Sequence, residues 1–285
     1  MIKPAIAITV GDPSGIGPEV VRKAISDKSV SKICRPIIIG TSAGFIPGKP
    51  SGKSNKSAVN SLFKAIQFIK NKTADAIVTA PVSKSVFGHV GGHTEFFAKI
   101  TGTENVEMLM VAGNIKVLIL TRHMPIKDVS KNINTCKIVK SIAIVNSFLK
   151  SKFGIKEPKI VVCGLNPHCG DNGLSGNEEK ETIIPAIKKL KKISLDITGP
   201  MNPEIAFAGK RYDLIVCMYH DQAMIPLKLL KPSNIVNVTI GLPFIRTSPG
   251  HGTAYDIAGK GIANPQPMIE AIKLACYLTK NKKLI

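Results

Sequence analysis

The chain has 285 residues, 44% of them hydrophobic, enough for one large α/β unit or two modest domains with a buried core. No run of eighteen uninterrupted apolar residues is present, and Met1 to Pro4 leads directly into an apolar run, so neither a membrane span nor a targeting leader is expected. The net charge of +20 rests on 39 basic residues of which only five are arginine, with no aromatic-rich RNA motif or zinc-finger spacing; a solvated lysine surface is expected rather than a nucleic-acid partner.

Along the chain, short apolar runs alternate with helical patterns. Strands are expected at residues 5–10, 36–40, 76–79, 117–120, 160–164, 214–218 and 235–240. Helices are expected at 18–26, 58–70, 135–150, 178–190 and 265–280. This alternation implies an α/β fold whose mostly parallel sheet is covered on both faces, with ligands at the carboxyl ends of the strands. Residues 44–60, rich in Gly, Pro, Ser and Lys, read as an exposed loop. Within it, Gly48-Lys49-Pro50-Ser51-Gly52-Lys53-Ser54 is one residue short of a P-loop, and no Gly-x-Gly-x-x-Gly fingerprint occurs. The six cysteines are scattered without a Cys-x-x-Cys pair, the pattern of reduced thiols in a cytoplasmic protein.

Three histidines follow expected strands. His123 lies in Thr121-Arg122-His123-Met124-Pro125, His168 in Asn166-Pro167-His168-Cys169-Gly170, and His220 in Tyr219-His220-Asp221-Gln222. If those strands are parallel neighbours, the three rings emerge on one sheet edge, and three imidazoles leave open positions on a divalent metal. Unrelated loop histidines are the alternative that spacing alone leaves open. Gly11-Asp12-Pro13-Ser14-Gly15-Ile16-Gly17-Pro18-Glu19 joins a strand to a helix, either as a tight turn or as an anion-holding helix start. His89 and His93 have metal-like spacing, but Gly91 and Gly92 between them argue against a rigid pair. His93 and Thr94 are better placed as substrate donors at a helix start. Lys228, Asn237 and Arg246 form a candidate cationic, hydrogen-bonding cradle for phosphate. The glycine-dense stretch from His251 to Pro265 admits close backbone approach by a flat ligand, with Asp256 available for ribose hydroxyls.

These blocks, in this order and across nearly the whole chain, resemble the 4-hydroxythreonine-4-phosphate dehydrogenase family of vitamin B6 biosynthesis. The most specific are residues 11–19, Gly92-His93-Thr94-Glu95-Phe96, Leu165-Asn166-Pro167-His168, Tyr219-His220-Asp221-Gln222 and Leu242-Pro243-Phe244-Ile245-Arg246-Thr247-Ser248. The stretch from His251 to Pro265 is similar to the adenosine-binding segment of isocitrate and isopropylmalate dehydrogenases.

The resemblance implies two α/β/α domains with mostly parallel sheets, an outer one at 1–86 plus 258–285 and an inner one at 87–257 carrying metal, substrate and dimer contacts. It makes His123, His168 and His220 metal ligands, and His93, Thr94, Lys228, Asn237 and Arg246 substrate-binding residues. Asp256 and Asn264 match adenosine contacts of the wider superfamily. It further implies NAD or NADP, one zinc, magnesium or cobalt ion per site, and a homodimer with shared active sites. The reaction implied is oxidation of 4-phosphohydroxy-L-threonine to 2-amino-3-oxo-4-phosphooxybutanoate, which decarboxylates to 3-amino-2-oxopropyl phosphate. Asp221 and Lys228 are the candidates for the base. The alternatives are a paralogue acting on phosphorylated threonate or erythronate and, from a different class, a basic nucleic-acid-binding protein.

The chain departs from the family pattern in three places. Residues between Pro36 and Val82 are fewer than usual. Cys169-Gly170-Asp171 replaces Ala-Gly-Glu, placing a thiophilic group beside His168. Glu204 stands near a family aspartate.

Overall fold

A computed structural model describes residues 3–83, 86–88, 91–209 and 212–281. The chain forms two compact units, one from Met1–Val106 with Ser233–Lys282 and the other from Glu107–Pro232. In chain order the first unit supplies β1 (Ala5–Thr9), α1 (Gly17–Ser26), α2 (Lys28–Ser31), β2 (Arg35–Ile39), α3 (Gly52–Lys70), β3 (Ala76–Thr79) and α4 (His93–Thr101). The second supplies β4 (Glu107–Ala112), β5 (Ile115–Thr121), α5 (Thr135–Phe148), β6 (Ile160–Cys163), α6 (Ile184–Lys192), β7 (Ile197–Met201), α7 (Pro203–Ala208), β8 (Leu214–Tyr219) and α8 (His220–Leu230). The chain then returns to the first unit with β9 (Ile235–Ile240), β10 (Ile245–Pro249) and α9 (Gln266–Lys280).

The first unit orders its strands β2-β1-β3-β10-β9, parallel except for β9, which runs antiparallel to β10. Its central strands are buried on both faces, hence the unbroken apolar runs. Ala7, Ile39 and Ile77 pack with Leu62 and Ile66 of α3 and with Phe96 and Phe97 of α4. On the opposite face, Thr247 donates its hydroxyl to the Ala271 carbonyl of α9 at 2.8 Å. Arg246, one residue earlier in β10, therefore points to the α3 and α4 face.

The second unit orders its strands β4-β5-β8-β6-β7, parallel except for the β4–β5 hairpin turning through Gly113-Asn114. Helix α5 packs on β4 and β5, α6 on α5 and β7, and α8 on β8 and β5. Among the described residues, no helix is long and apolar enough to cross a membrane.

The compact units change over at 106/107 and 232/233, where the expected domains were placed approximately at 86/87 and 257/258. Strand β10 pairs with β3 and carries β9 with it, a long-range pairing invisible in local patterning. The stretch 44–60 is a loop only to Ser51. There Ser51 and Ser54 close a capping box, Ser54 N–H donating to Ser51 Oγ at 3.1 Å and Ser51 N–H to Ser54 Oγ at 2.9 Å, and α3 begins at Gly52. The P-loop-like serine is thus a helix cap. Finally, residues 107–112, 197–201 and 245–249 are strands, and 220–230 is a helix, none of them in the expected list.

Candidate active site

In the second unit, β5, β8 and β6 are parallel neighbours in a register that sets Thr121 opposite Tyr219 and Val162 opposite Val216. The residues following these strands emerge at one edge, where α/β sheets carry ligands. Thr121 donates its hydroxyl to the Met218 carbonyl at 2.5 Å, fixing the β5 end against β8. His123 follows β5 and His220 opens α8; their ring centroids lie 5.7 Å apart, inclined at 41°. His220 Nδ1 is 2.6 Å from Asp221 Oδ1, the contact expected of an Nδ1–H donated to a carboxylate. Such a bond orients the imidazole and leaves Nε2 as the ligating nitrogen. Asp221 is thereby the partner of His220. Lys228, the other candidate base, is exposed and lies eight residues along α8, about 12 Å by helical rise.

His168 follows β6 on a segment whose backbone is left-handed at five successive residues: His168 φ 50°, Cys169 φ 55°, Gly170 φ 80°, Asp171 φ 42° and Asn172 φ 56°. L-residues adopt that region at a cost, so the surroundings must impose it. Glu179, only 3% exposed, does much of this. Its Oε1 accepts the N–H groups of Leu165 at 2.7 Å and Asn166 at 2.8 Å, and its Oε2 accepts the Asn166 side-chain amide at 2.9 Å. A Cβ on Gly170 would stand 2.7 Å from Glu179 Oε2, so this turn needs glycine there. Gln222 ties the same turn to α8. Its Nε2 donates to the Gly164 carbonyl at 2.8 Å, and its Oε1 accepts the Met218 N–H at 2.7 Å. Glu179 and Gln222 are the positioning residues that sequence reading missed or quoted without a role. Burial of a carboxylate within the pattern 178–190 was the one available signal for Glu179.

The structure thus makes neighbours of His123 and His220 and presents His168 from the adjoining strand end. Among the described residues, no three His, Cys, Asp or Glu side chains of one chain converge into a metal-sized cluster. The donor chemistry of the pair, two solvent-accessible imidazoles, fits a divalent cation. Burial, with the nearby Glu179 carboxylate, raises the Cys169 thiol above its ordinary range, and Sγ donates to Asn202 Oδ1 at 3.2 Å.

The first unit holds a buried cation at a helix start. Arg246, 1% exposed, donates from one terminal nitrogen to Thr239 Oγ1 at 3.0 Å and from the other to Thr79 Oγ1 at 2.5 Å. Its Nε has no hydrogen-bond partner. Burial lowers the guanidinium to about 9, against the opposing pull of the Glu95 carboxylate, so it stays charged at neutral pH. Thr94 Oγ1 lies 3.4 Å from Thr239 Oγ1, on the first turn of α4, whose N-cap Gly92 offers no side-chain cap. The first N–H groups of such a helix have no acceptor within the helix itself. His93 packs its ring 4.9 Å from that of Phe87, its Nε2 buried and unpartnered. Desolvation, reinforced by Arg246, holds its pKa well below the ordinary value, so the ring is neutral. Asn237, in register with Ser248 on the Arg246 strand, also buries an unpartnered Oδ1. Lys228 belongs to the second unit. His89 lies outside the described residues.

Residues 11–19 prove to be a clasp. The Asp12 carboxylate accepts the Ser14 N–H at 2.9 Å and the Tyr255 hydroxyl at 2.5 Å. Burial and that bond push the Tyr255 phenol up to about 12. Ile16 N–H is taken by the Thr253 carbonyl, and Glu19 accepts the Ala263 N–H at 2.9 Å. The N-cap and first turn of α1 are thus tied to the 251–263 segment. That segment leaves open space where a Cβ would stand at Gly252 and Gly261. Asp256 is exposed, and Asn264 Oδ1 accepts the Gln266 N–H at the start of α9.

A parallel α/β fold with histidines at adjoining strand ends, a buried arginine at a helix start and a glycine-dense segment clasped to a strand-to-helix turn defines an isocitrate-dehydrogenase-like architecture. An isocitrate dehydrogenase from Methylococcus capsulatus superimposes with a TM-score of 0.53 at 16% identity over 95% of this chain and 84% of that one, a likeness of fold alone. Residues 14–275 match the family described as pyridoxal phosphate biosynthetic protein PdxA, and the chain belongs to that family. It is 39% identical to the 4-hydroxythreonine-4-phosphate dehydrogenase of Sulfurihydrogenibium sp. (strain YO3AOP1), covering 98% of this chain and 99% of that protein. It is 37% identical to the D-threonate 4-phosphate dehydrogenase of Cupriavidus necator, covering 98% of each. The crystal structure of 4-hydroxythreonine-4-phosphate dehydrogenase from Klebsiella pneumoniae superimposes with a TM-score of 0.83 at 31% identity, covering 97% of this chain and 98% of that one.

Proposed function

We propose that this chain is a metal-assisted, NAD(P)-dependent dehydrogenase that oxidises 4-phosphohydroxy-L-threonine at its secondary alcohol. The observation that carries the reading is the His123–His220 pair, 5.7 Å between centroids, at parallel strand ends beside the His168 turn, in a chain of this family. His123, His168 and His220 would hold a zinc, cobalt or magnesium ion, imidazole favouring the first two. Such a cation would supply Lewis acidity toward an alcohol, and NAD or NADP would supply the hydride acceptor.

The chain's own groups do the rest. Asp221 keeps His220 oriented through Nδ1, while Glu179 and Gln222 hold the His168 turn in place. Arg246, Asn237, His93 and Thr94 take an anionic, hydrogen-bonding part of the substrate. Neutral His93 is able to donate without adding a charge, and Lys228 adds a mobile ammonium. Asp256 and Asn264, beside the open glycines, hold the adenosine of the cofactor. The hydroxyl proton leaves to a base, with Asp221 the nearer candidate to the histidine edge, as hydride leaves the same carbon. The resulting ketone is β to the carboxylate, so carbon dioxide departs and 3-amino-2-oxopropyl phosphate remains. We place the enzyme in the cytoplasm as a homodimer with shared sites, acting in pyridoxine 5'-phosphate synthesis and binding neither nucleic acid nor membrane.

The 37% identity to a D-threonate 4-phosphate dehydrogenase favours one competitor, a phosphorylated threonate or erythronate as substrate. Metal analysis followed by NAD(P)H formation with each of the three phosphates tests the proposal. Highest kcat/KM with the amino acid phosphate is expected. Preference for a sugar acid phosphate would transfer the assignment, and failure of the metal-loaded protein to reduce NAD or NADP with all three would end it.

A further inference from the structure

The first unit has a cavity of about 360 Å³ at the carboxyl end of β2, lined by Gly40, Lys53, Lys56, Ser57, Asn60 and Lys64 among others. Carboxyl ends of strands are where α/β sheets take ligands. The lining positions on α3 recur every three or four residues, so they share one helix face. Three ammoniums, two hydroxyls and an amide line this space, and no lining residue is acidic.

The local charge is unusual even in a lysine-rich chain. Residues 28 to 74 contain no aspartate or glutamate and nine lysines or arginines. Lys53 and Lys56 lie in the first turns of α3, where the helix dipole disfavours cations and like charges three apart repel. None of the hydrogen bonds or ion pairs among the described residues engages the ammonium of Lys53, Lys56 or Lys64. Here Gly40, at φ 106°, brings the chain so close to α3 that a Cβ would stand 2.8 Å from Ser61 Oγ, and the face is concave. The loop leaving β2 also packs on the segment assigned to adenosine, a Cβ on Gly259 meeting Pro47 at 2.6 Å.

We infer that this cavity is a binding site for a phosphomonoester dianion, held by Lys53, Lys56 and Lys64 with Ser57 and Asn60. Two sources share that chemistry, the 2'-phosphate of NADP and a free phosphate ester. The inference does not need the dehydrogenase reading, because binding is measured without turnover.

The test is calorimetric titration of the full chain with inorganic phosphate, 2'-AMP, NADP and NAD at two salt concentrations. It is repeated on K53Q/K56Q/K64Q and on a control that removes equal charge from α6, K188Q/K189Q/K192Q. Expected are binding of the phosphate-bearing ligands by the parent chain, a loss of tenfold or more in the α3 variant, and a change below threefold in the α6 control. NADP and 2'-AMP binding well above NAD and inorganic phosphate would identify the cofactor as the source, whereas equal binding of phosphate and 2'-AMP would identify a free ester. Equal losses in the two triple variants, or an unchanged α3 variant, would overturn the inference, leaving only general attraction to a basic surface. Both variants keep strong helix formers at exposed positions, and circular dichroism verifies that they fold.

Discussion

The two units hold their functional groups in opposite ways. In the first, Arg246 is buried, already bonded to two threonine hydroxyls, and lies beside a helix start that has no side-chain cap. Its position is set before any ligand arrives, at the cost of desolvating a cation. In the second, His123 and His168 are exposed and His220 keeps 41% of its side chain accessible. Order there lies one layer deeper, in Glu179 and Gln222, which fix backbone rather than imidazoles. On the proposed reading, an anion at Arg246 would meet dry, pre-bonded side chains, and a cation at the histidines wet ligands on a rigid backbone. A hard cation that must exchange water and substrate suits an open rim, whereas a buried guanidinium gains from exclusion of water.

Substitutions separate the two arrangements. H220A should cost the most, with metal content and turnover falling further than the roughly 10- to 100-fold that supporting residues cost, while phosphate-ester binding persists. R246K keeps the charge but loses the fork that reaches Thr79 and Thr239. With charge-assisted bonds worth about 1.5–3 kcal/mol, KM should rise roughly 10- to 150-fold with metal content unchanged. Loss of metal in R246K, or a normal KM, would dissolve the contrast between the units. E179Q places an amide where Oε2 now accepts from Asn166. Metal affinity, read by competition with a chelating dye, should fall about 10- to 100-fold, and restoration by glutamate alone rather than aspartate would fit a set distance. An E179Q protein with parental metal affinity would reduce Glu179 to a packing role.

How much of this was legible in sequence follows the range of each interaction. Strands β1 and β3 were readable because burial on both faces leaves nearly continuous apolar runs, and β9 because its β-branched residues dominate. The β4–β5 hairpin was not, although Gly113-Asn114 is a usable turn signal, because the run 117–120 was read as an isolated strand. Helix α8 hid behind its own motif, His220-Asp221-Gln222, and behind Pro226 in its middle. The histidines could be placed after strands, but only strand order shows that β8 lies between β5 and β6. Glu179 escaped because its partners are backbone N–H groups 13 and 14 residues away. The unit boundaries escaped because β10 joins β3 across more than 160 residues of chain.

The smallest expected effect concerns His93 and tests whether the anion end is as dry as its bonding implies. Its folded pKa is held well below the ordinary value by desolvation and by Arg246. In the unfolded chain the ring titrates near 6.5. Below that pH the unfolded state takes up a proton that the folded state refuses, so stability falls as the solution is acidified and is fully regained above about pH 7. Between pH 7 and pH 5 this one group accounts for at most about 2 kcal/mol, less where solvent reaches the ring. H93Q should therefore show a shallower fall in urea midpoint over that interval than the parent chain, the carboxylates contributing equally to both. An identical pH dependence in the two proteins would mean that His93 protonates in the folded state, hence that water enters beside Arg246. The first unit would then hold its ligand by the same open arrangement as the second.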